Sequence, residues 1–112
     1  MIQRVEHNRH RIRLQVCICE SLLERARGLL FRRRLDHETA FLLRPCKAVH
    51  TFGLTYPIDV LFCDSNGVVV EIVHELPPWQ MVRAEDADAV WEFTTGVARK
   101  LGIRVGDRLR PC

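Results

Sequence analysis

Long apolar runs and several catalytic signatures are missing from this sequence. No stretch approaches the roughly 20 apolar residues that a membrane-spanning helix requires. There is no glycine-rich phosphate-binding loop, no GxSxG motif and no HExxH motif. Ser21 and Ser65 are the only serines, and both lie where a helix cap or a turn is expected. These absences argue against a transmembrane segment, a serine nucleophile and a zinc-protease site.

Lysine is also scarce, so arginine carries almost all of the positive charge. Lysine and arginine together number 17 against 14 acidic residues, which gives a net charge of +3. The excess lies early in the chain, at Arg4, Arg9, Arg11, Arg13, Arg32, Arg33 and Arg34. Guanidinium groups suit phosphate, so these clusters keep a weak nucleic-acid binder open as an alternative. A charge of only +3 without interleaved aromatic residues favours a solvated surface instead.

The cysteines do not indicate a disulfide framework. They are odd in number, at Cys17, Cys19, Cys46, Cys63 and Cys112. Residues 1–13 contain no apolar core of a secretory signal, so we expect a reducing, cytoplasmic location. No second cysteine or histidine pair completes a zinc site with Cys17 and Cys19. We therefore expect no metal and no cofactor, and interpret Cys17, Cys19 and Cys63 as buried structural thiols.

Length and hydrophobic periodicity predict one mainly β domain. A chain of 112 residues with 47% apolar residues fits a single core. The polar residues 1–11 predict a flexible N-terminal arm or an edge, and residues 12–112 a single globular domain. Apolar and polar residues alternate from Arg11 to Ile18, as in a strand with one buried face. Further strands are predicted over 40–43, 49–54, 58–64, 68–76, 89–94 and 108–110.

The clearest local signal is a β-hairpin over residues 58–76. Its turn is Ser65-Asn66-Gly67, in which Asn-Gly supplies the positive φ of a tight turn. Because the second strand is apolar on both faces near the turn, we expect it to be central. The predicted fold class is mainly β, with an α+β tendency: a compact antiparallel β-sandwich or barrel-like domain with two short helices.

The two predicted helices have recognisable ends. Ser21-Leu22-Leu23-Glu24 is a capping box that opens an apolar stripe over residues 21–30. A second helix is predicted near residues 95–101, capped by Thr94 or Thr95. Gly102 is suited to the left-handed C-cap of this helix, with Ile103 as the closing apolar contact.

Two acidic residues sit in strongly apolar segments. Asp59 is predicted to share one strand face with Leu61 and Cys63, and a buried carboxylate needs a partner. Two interpretations stay open: a carboxylate that pins a turn or an arginine, and a general acid or base with a raised pKa. Glu92 poses the same question, and Arg25 on the first helix is a candidate partner for either acid.

His50 is the best titratable candidate for a site. A contact with Asp59 would orient its imidazole for acid–base chemistry. A lone histidine is also common as a satisfied core or rim residue. The candidate pocket therefore comprises His50, Phe52, Asp59, Arg25 and Glu92.

Five segments, in order, resemble domain-of-unknown-function family 192, which is bacterial and archaeal. They are Arg25–Leu30 (similar to R-x-x-G-L-M), His50–Leu54 with Pro57–Phe62 (H-x-F-W-M…P-L-D-V-x-F), Asp64–Val70 (D-x-x-G-x-V), Val90–Gly96 (V-L-E-L-x-x-G) and Gly102–Asp107 (G-I-x-x-G-D). The resemblance covers about residues 12–110 and implies a compact β-sandwich or barrel-like fold with two short helices. It implies no activity. Gly53-Leu54 stands where the family has Trp-Met, which reshapes any pocket beside His50.

The leading functional hypothesis is a small soluble binding or interaction module with a cleft near His50–Asp59. Its partner would be an unknown small molecule or protein, and the chain a monomer or weak dimer. One alternative is a small enzyme that uses His50 and Asp59 as an acid–base pair, so whether the protein is an enzyme stays open. The other is the nucleic-acid binder, which the sequence favours less.

Overall fold

The computed structural model describes residues 2–20 and 36–112. These ranges contain nine strands and one short helix, so the predicted mainly β class is confirmed. The elements are β1 (Ile2–His7), β2 (His10–Cys19), β3 (Thr39–Leu43), β4 (Ala48–His50), β5 (Ile58–Cys63), β6 (Val69–Leu76), β7 (Met81–Arg83), β8 (Ala89–Thr94), α1 (Val97–Lys100) and β9 (Leu109–Pro111). The helix predicted over 21–30, with Arg25, lies outside the described residues.

Seven strands form one sheet in the order β6-β5-β8-β3-β2-β1-β9. Neighbouring strands are antiparallel except β2 and β3, which run parallel. A parallel pair cannot be joined by a tight hairpin, and the connection here spans residues 20–38. The two remaining strands, β4 and β7, pair with each other in a second small sheet.

The two edges of the seven-stranded sheet meet, which makes the fold barrel-like as predicted. An isolated bridge joins Val68, before β6, to Arg108, before β9. The N–H of Leu109 also donates to the carbonyl of Gly67 at 2.9 Å. Gly67 has a φ of +80°, and a Cβ there would lie 2.7 Å from the Leu109 carbonyl oxygen. The glycine of the predicted Asn-Gly turn is therefore also required where the barrel closes.

In place of the flexible arm predicted over residues 1–11, the chain forms β1. This strand is hydrogen-bonded to β2 on one side and to β9 on the other. Val5 is fully buried in the core, and His7 Nε2 lies 2.7 Å from Asp107 Oδ2. Among the residues of β1 whose side chains the structure describes, Arg4 is exposed and Glu6 and His7 are partly exposed. A single inward valine is too weak a pattern to predict a strand.

Of the two strands of the 58–76 hairpin, the one flanked by strands on both sides is β5, not the β6 that the sequence indicated as central. All six residues of β5 are buried between β6 and β8. β6 lies at the end of the strand order, and its two apolar faces near the turn reflect packing into both hydrophobic clusters.

Alternation along the strands divides the core into two hydrophobic clusters on opposite faces of the sheet. The inner cluster fills the barrel and includes Leu61, Trp91 and Phe93. The outer cluster includes Val60 and Phe62 of β5, together with residues of β4 and the segment that follows β7. The second small sheet therefore covers part of the outer face.

Candidate functional site

Asp59 lies on β5 and is completely buried. Its Oδ1 accepts a hydrogen bond from the backbone N–H of Glu75 at 2.9 Å. Its Oδ2 accepts from the N–H groups of Gly96 at 2.9 Å and Ala98 at 3.3 Å. Within the described ranges the carboxylate is thus held by three backbone donors, which satisfy both of its oxygens.

These three bonds join β5 to a bulge in β6 and to the start of α1. The register between β5 and β6 shifts opposite Asp59, where Glu75 has a φ of 53°. The N-cap residue of α1 is Gly96, which has no side chain to cap the helix, so the predicted Thr94 or Thr95 cap is wrong. Asp59 supplies the missing acceptor from a distant strand, because the first N–H groups of a helix have no acceptor within the helix itself.

The predicted end of this helix is correct. Gly102 has a φ of 70°, and the N–H of Ile103 donates to the carbonyl of Ala98 at 3.0 Å. Ile103 is buried in the inner cluster, as the closing apolar contact requires.

His50 ends β4 and is exposed to solvent. Its ring stacks on Phe52 with centroids 5.1 Å apart. Its Nδ1 accepts the backbone N–H of Phe52 at 3.2 Å, so the neutral ring carries its proton on Nε2. In the described part of the chain no hydrogen bond joins His50 to Asp59, whose two oxygens already have donors. The structure therefore does not assemble the predicted acid–base pair.

Glu92 lies on β8 and is 3% exposed. Its strand neighbours are Phe41 on one side and Val60 on the other, and both belong to the outer cluster. Burial in these apolar surroundings raises the pKa of the Glu92 carboxyl to about 7. Asp59 pairs with Phe93 of the inner cluster, so the two acids lie on opposite faces of the sheet.

The five residues of the predicted pocket are consequently not gathered at one place. His50 and Phe52 contact each other at the surface, whereas Asp59 and Glu92 are buried on opposite faces. The pairing of Arg25 with either acid lies outside the described residues.

Two residues that sequence reasoning missed extend the His50–Phe52 stack. Trp79 lies with its ring centroid 6.0 Å from that of Phe52, and Met81 pairs with His50 across β4 and β7. Phe52 is 43% exposed, Trp79 67% and Met81 68%. We call His50, Phe52, Trp79 and Met81 together the aromatic surface. The available signal was Pro77-Pro78-Trp79, interpreted from the sequence only as the end of a strand.

Thr51 connects the two segments that carry the aromatic surface. It is fully buried, and its hydroxyl donates to the carbonyl of Pro77 at 2.7 Å while accepting the N–H of Gln80 at 2.9 Å. Its backbone N–H donates to Gln80 and its carbonyl accepts from Trp79. These bonds hold Trp79 at a φ of 65°, a left-handed conformation that costs about 1 kcal/mol for a non-glycine residue.

Cysteine and metal chemistry find little support in the described ranges. Burial, followed by the nearby Asp64 charge, raises the pKa of the Cys63 thiol to about 12, so it stays protonated. The five cysteines all lie in the described ranges, and none of them forms a disulfide. Residues 2–20 and 36–112 hold no group of three or more side chains placed to bind a metal ion. Across the same residues, no helix has the length and apolar character needed to cross a membrane.

Comparison with known proteins places the chain among uncharacterised relatives. The profile of DUF192, described as Uncharacterized ACR, matches residues 3–111. A UPF0127 protein of Pyrococcus furiosus is 33% identical over 103 residues, covering 88% of this chain and 87% of that relative. A UPF0127 protein of Pyrococcus abyssi is 32% identical over 100 residues, covering 85% and 84%.

Two solved structures share the fold. A putative transcription regulator from Sinorhizobium meliloti superposes with a TM-score of 0.87 at 22% identity, covering 99% of this chain and 94% of that one. A protein of unknown function from Novosphingobium aromaticivorans gives a TM-score of 0.85 at 24% identity, covering 97% and 84%. Identities this low establish the fold alone. With the profile match over residues 3–111, the chain belongs to the uncharacterised DUF192 family.

Proposed function

We propose that the protein is a small binding module that docks an extended, proline-containing peptide segment on its aromatic surface. The observation that carries the proposal is the exposed ladder of His50, Phe52 and Trp79, with ring centroids 5.1 and 6.0 Å apart. Contiguous exposed aromatic and thioether side chains are typical of interaction sites.

The way this surface is built favours a binding role over incidental exposure. Thr51 is completely buried and ties both contributing loops together through its hydroxyl and its backbone. Trp79 is held in a strained conformation with two thirds of its surface in water. Strain of this kind concentrates at functional sites, and a rigid aromatic surface loses little entropy on binding.

The hydrogen-bonding chemistry favours a proline-containing segment. His50 presents Nε2–H, since its Nδ1 is occupied, and Trp79 presents an indole N–H that can only donate. A polyproline II segment lacks N–H donors at its prolines and leaves its carbonyls free to accept.

Spacing and charge agree with that chemistry. The polyproline II helix rises 3.1 Å per residue, so alternate side chains repeat about every 6 Å, close to the spacing of the rings. Arg83 lies two residues after Met81 and forms a salt bridge with Glu85, in which Arg83 Nε is 2.6 Å from Glu85 Oε1. The positive charge of Arg83 is therefore neutralised. An uncharged, extended segment fits this surface.

Titration of the labelled protein with decaproline, followed by amide chemical shifts, tests the proposal. We expect shifts confined to residues 50–54 and 77–81, and at least a tenfold weaker affinity for Trp79→Ala. Val105→Ala, which removes an apolar side chain of similar exposure elsewhere, is the matched control and should bind as the parent does. Decaalanine, an oligosaccharide and oligo(dT) are titrated in parallel. A response to any of these at the same residues, with none to decaproline, would contradict the peptide assignment.

A further inference from the structure

Pairing of β9 with β1 brings the two ends of the chain together on one solvent-exposed surface. We call this surface the arginine face; it comprises Arg4, Glu6, Arg9, Arg11, Arg13, Arg108 and Arg110. Four of these arginines come from the first 13 residues and two from the last five. The fold therefore enlarges a cluster that the sequence shows only in part.

The barrel directs these side chains outward. Val5, Leu14 and Leu109 point into the inner cluster, so the residues on either side of each point to solvent. All six arginines are exposed, and only Glu6 is half-buried among them. Glu6 pairs across the strands with Arg11 on one side and with Arg110 on the other.

Charge is distributed unevenly over the residues that the structure describes. Six arginines and one glutamate give the arginine face a formal charge of +5. Asp36 and Glu38 line a cleft with Arg4 and Arg13, so the excess of positive charge is greatest around Arg9, Arg108 and Arg110. A concentrated basic face of this kind is the electrostatic footprint of a polyanion-binding surface.

A cleft of about 330 Å³ opens at one end of the arginine face, lined by Glu6, Arg9, Arg108 and Arg110. Arg110 Nε lies 3.4 Å from Glu6 Oε1. Within the residues that the structure describes, Arg9 and Arg108 have no carboxylate partner. Three guanidinium groups around one carboxylate repel one another unless an anion joins them.

The turn between β1 and β2 holds Arg9 in place at this cleft. Asn8 and Arg9 have φ values of 50° and 72°, as in a two-residue hairpin turn whose second position favours glycine. Asn8 Oδ1 accepts the N–H of Arg108 at 2.7 Å, and the Asn8 N–H donates to the Arg108 carbonyl. Arg9 therefore occupies a strained position in a turn that is hydrogen-bonded, through Asn8, to Arg108 just before β9.

We propose that the arginine face binds the phosphodiester backbone of a nucleic-acid duplex. Its arginines span roughly 15 Å along the strands and about 10 Å across them, more than one phosphate group covers. Guanidinium forks match phosphate oxygens in geometry as well as in charge. This inference concerns other residues than the aromatic surface and does not depend on the peptide proposal.

Other polyanionic partners fit this face less well. Among the described side chains the large exposed hydrophobic residues are Phe52, Trp79, Met81 and Val105, and none lies on residues 4–7 of β1, on β2 or on β9. A membrane-binding surface needs apolar side chains to insert, and single-stranded nucleic acid needs aromatic rings for base stacking. A duplex requires only the phosphate contacts that this face offers.

Fluorescence anisotropy with a labelled 24-base-pair random-sequence duplex tests the proposal. With about four phosphate contacts, affinity should fall about 100-fold between 50 and 200 mM salt. The double variant R108Q/R110Q should weaken binding at least tenfold and lower the salt slope by about 2. R99Q/K100Q removes the same charge from exposed positions on α1 and should bind nearly as the parent does.

Three results would overturn the proposal. The first is binding that is weakened equally by R108Q/R110Q and by R99Q/K100Q, which would assign it to net charge alone. The second is tighter binding to vesicles containing phosphatidylserine than to the duplex, with the same dependence on Arg108 and Arg110. The third is complete displacement of the duplex by stoichiometric inorganic pyrophosphate, which would indicate a small-anion site in the cleft.

Discussion

Asp59 and Glu92 are two buried carboxyl groups on adjacent strands, yet their surroundings differ completely. Asp59 faces the inner cluster and accepts three backbone N–H groups. Glu92 faces the outer cluster between Phe41 and Val60, and its pKa is raised to about 7 by burial. Burial alone therefore does not determine how a carboxyl group is held; the hydrogen-bond donors within its reach do.

Removing Asp59 should produce the largest effect. Asp59→Ala leaves the N–H groups of Glu75, Gly96 and Ala98 buried without an acceptor, so we expect a loss of about 4 kcal/mol in the free energy of unfolding. Urea unfolding followed by circular dichroism measures it. Asp59→Asn keeps one acceptor oxygen and should lose about half as much. A loss below about 1 kcal/mol for the alanine variant would show that these bonds do not hold the fold together.

Changing Glu92 should act in the opposite direction. Folding raises its pKa from 4.5 to about 7, so the folded state holds the proton more tightly than the unfolded state. The contribution of the Glu92 carboxyl to the free energy of unfolding is fully present below pH 4.5 and is lost as the pH rises through about 7. Glu92→Gln, which cannot ionise, should therefore stabilise the protein by up to about 3 kcal/mol at pH 8.

The same Glu92→Gln variant should differ little from the parent at pH 4.5, where the parent carboxyl is already neutral. Thermal unfolding at pH 4.5, 6 and 8 measures the difference. Destabilisation at pH 8 would mean that Glu92 is charged and paired in the folded protein, in contrast to the apolar surroundings described above.

Asp107 provides the smallest effect and a third kind of environment. It lies partly exposed at the barrel seam, where hydrogen bonds from His7 and from the N–H of Arg104 lower its pKa to about 2. A lowered pKa stabilises the folded state at neutral pH, and that stability is lost as the pH falls from about 4 to 2. Partial exposure reduces the effect to about 1 kcal/mol for Asp107→Asn at pH 7. Equal unfolding free energies of parent and variant at pH 7 would indicate that the His7 contact contributes nothing.

Local patterns predicted much of this molecule. Alternation placed Val90 and Glu92 on one face of β8 and Trp91 and Phe93 on the other, and the clusters agree. Asn-Gly located the turn between β5 and β6, and Gly102 the end of α1. These features depend on backbone preferences and on the alternation of side-chain directions along one helix or strand. Both are determined by residues that are close in sequence.

The candidate site was less accessible to such patterns. His50 and Phe52 were identified, but Trp79 and Met81 join them only because β4 and β7 pair across some 30 residues of chain. The partner donors of Asp59 lie 16, 37 and 39 residues away, too far for any local rule. The arginine face likewise needs both chain ends.

The sequence by itself determined a mainly β domain, the hairpin over 58–76, the faces on which the residues of β2 and β8 lie, and the end of α1. Tertiary structure decided which strands are neighbours, that the sheet closes at Gly67 and Leu109, and that Asp59 caps a helix. The physical reason is the distance along the chain over which each kind of interaction acts. Periodicity and turn chemistry act within a few residues, whereas strand order and the partners of a buried carboxylate are set by contacts between segments that only the folded chain brings together.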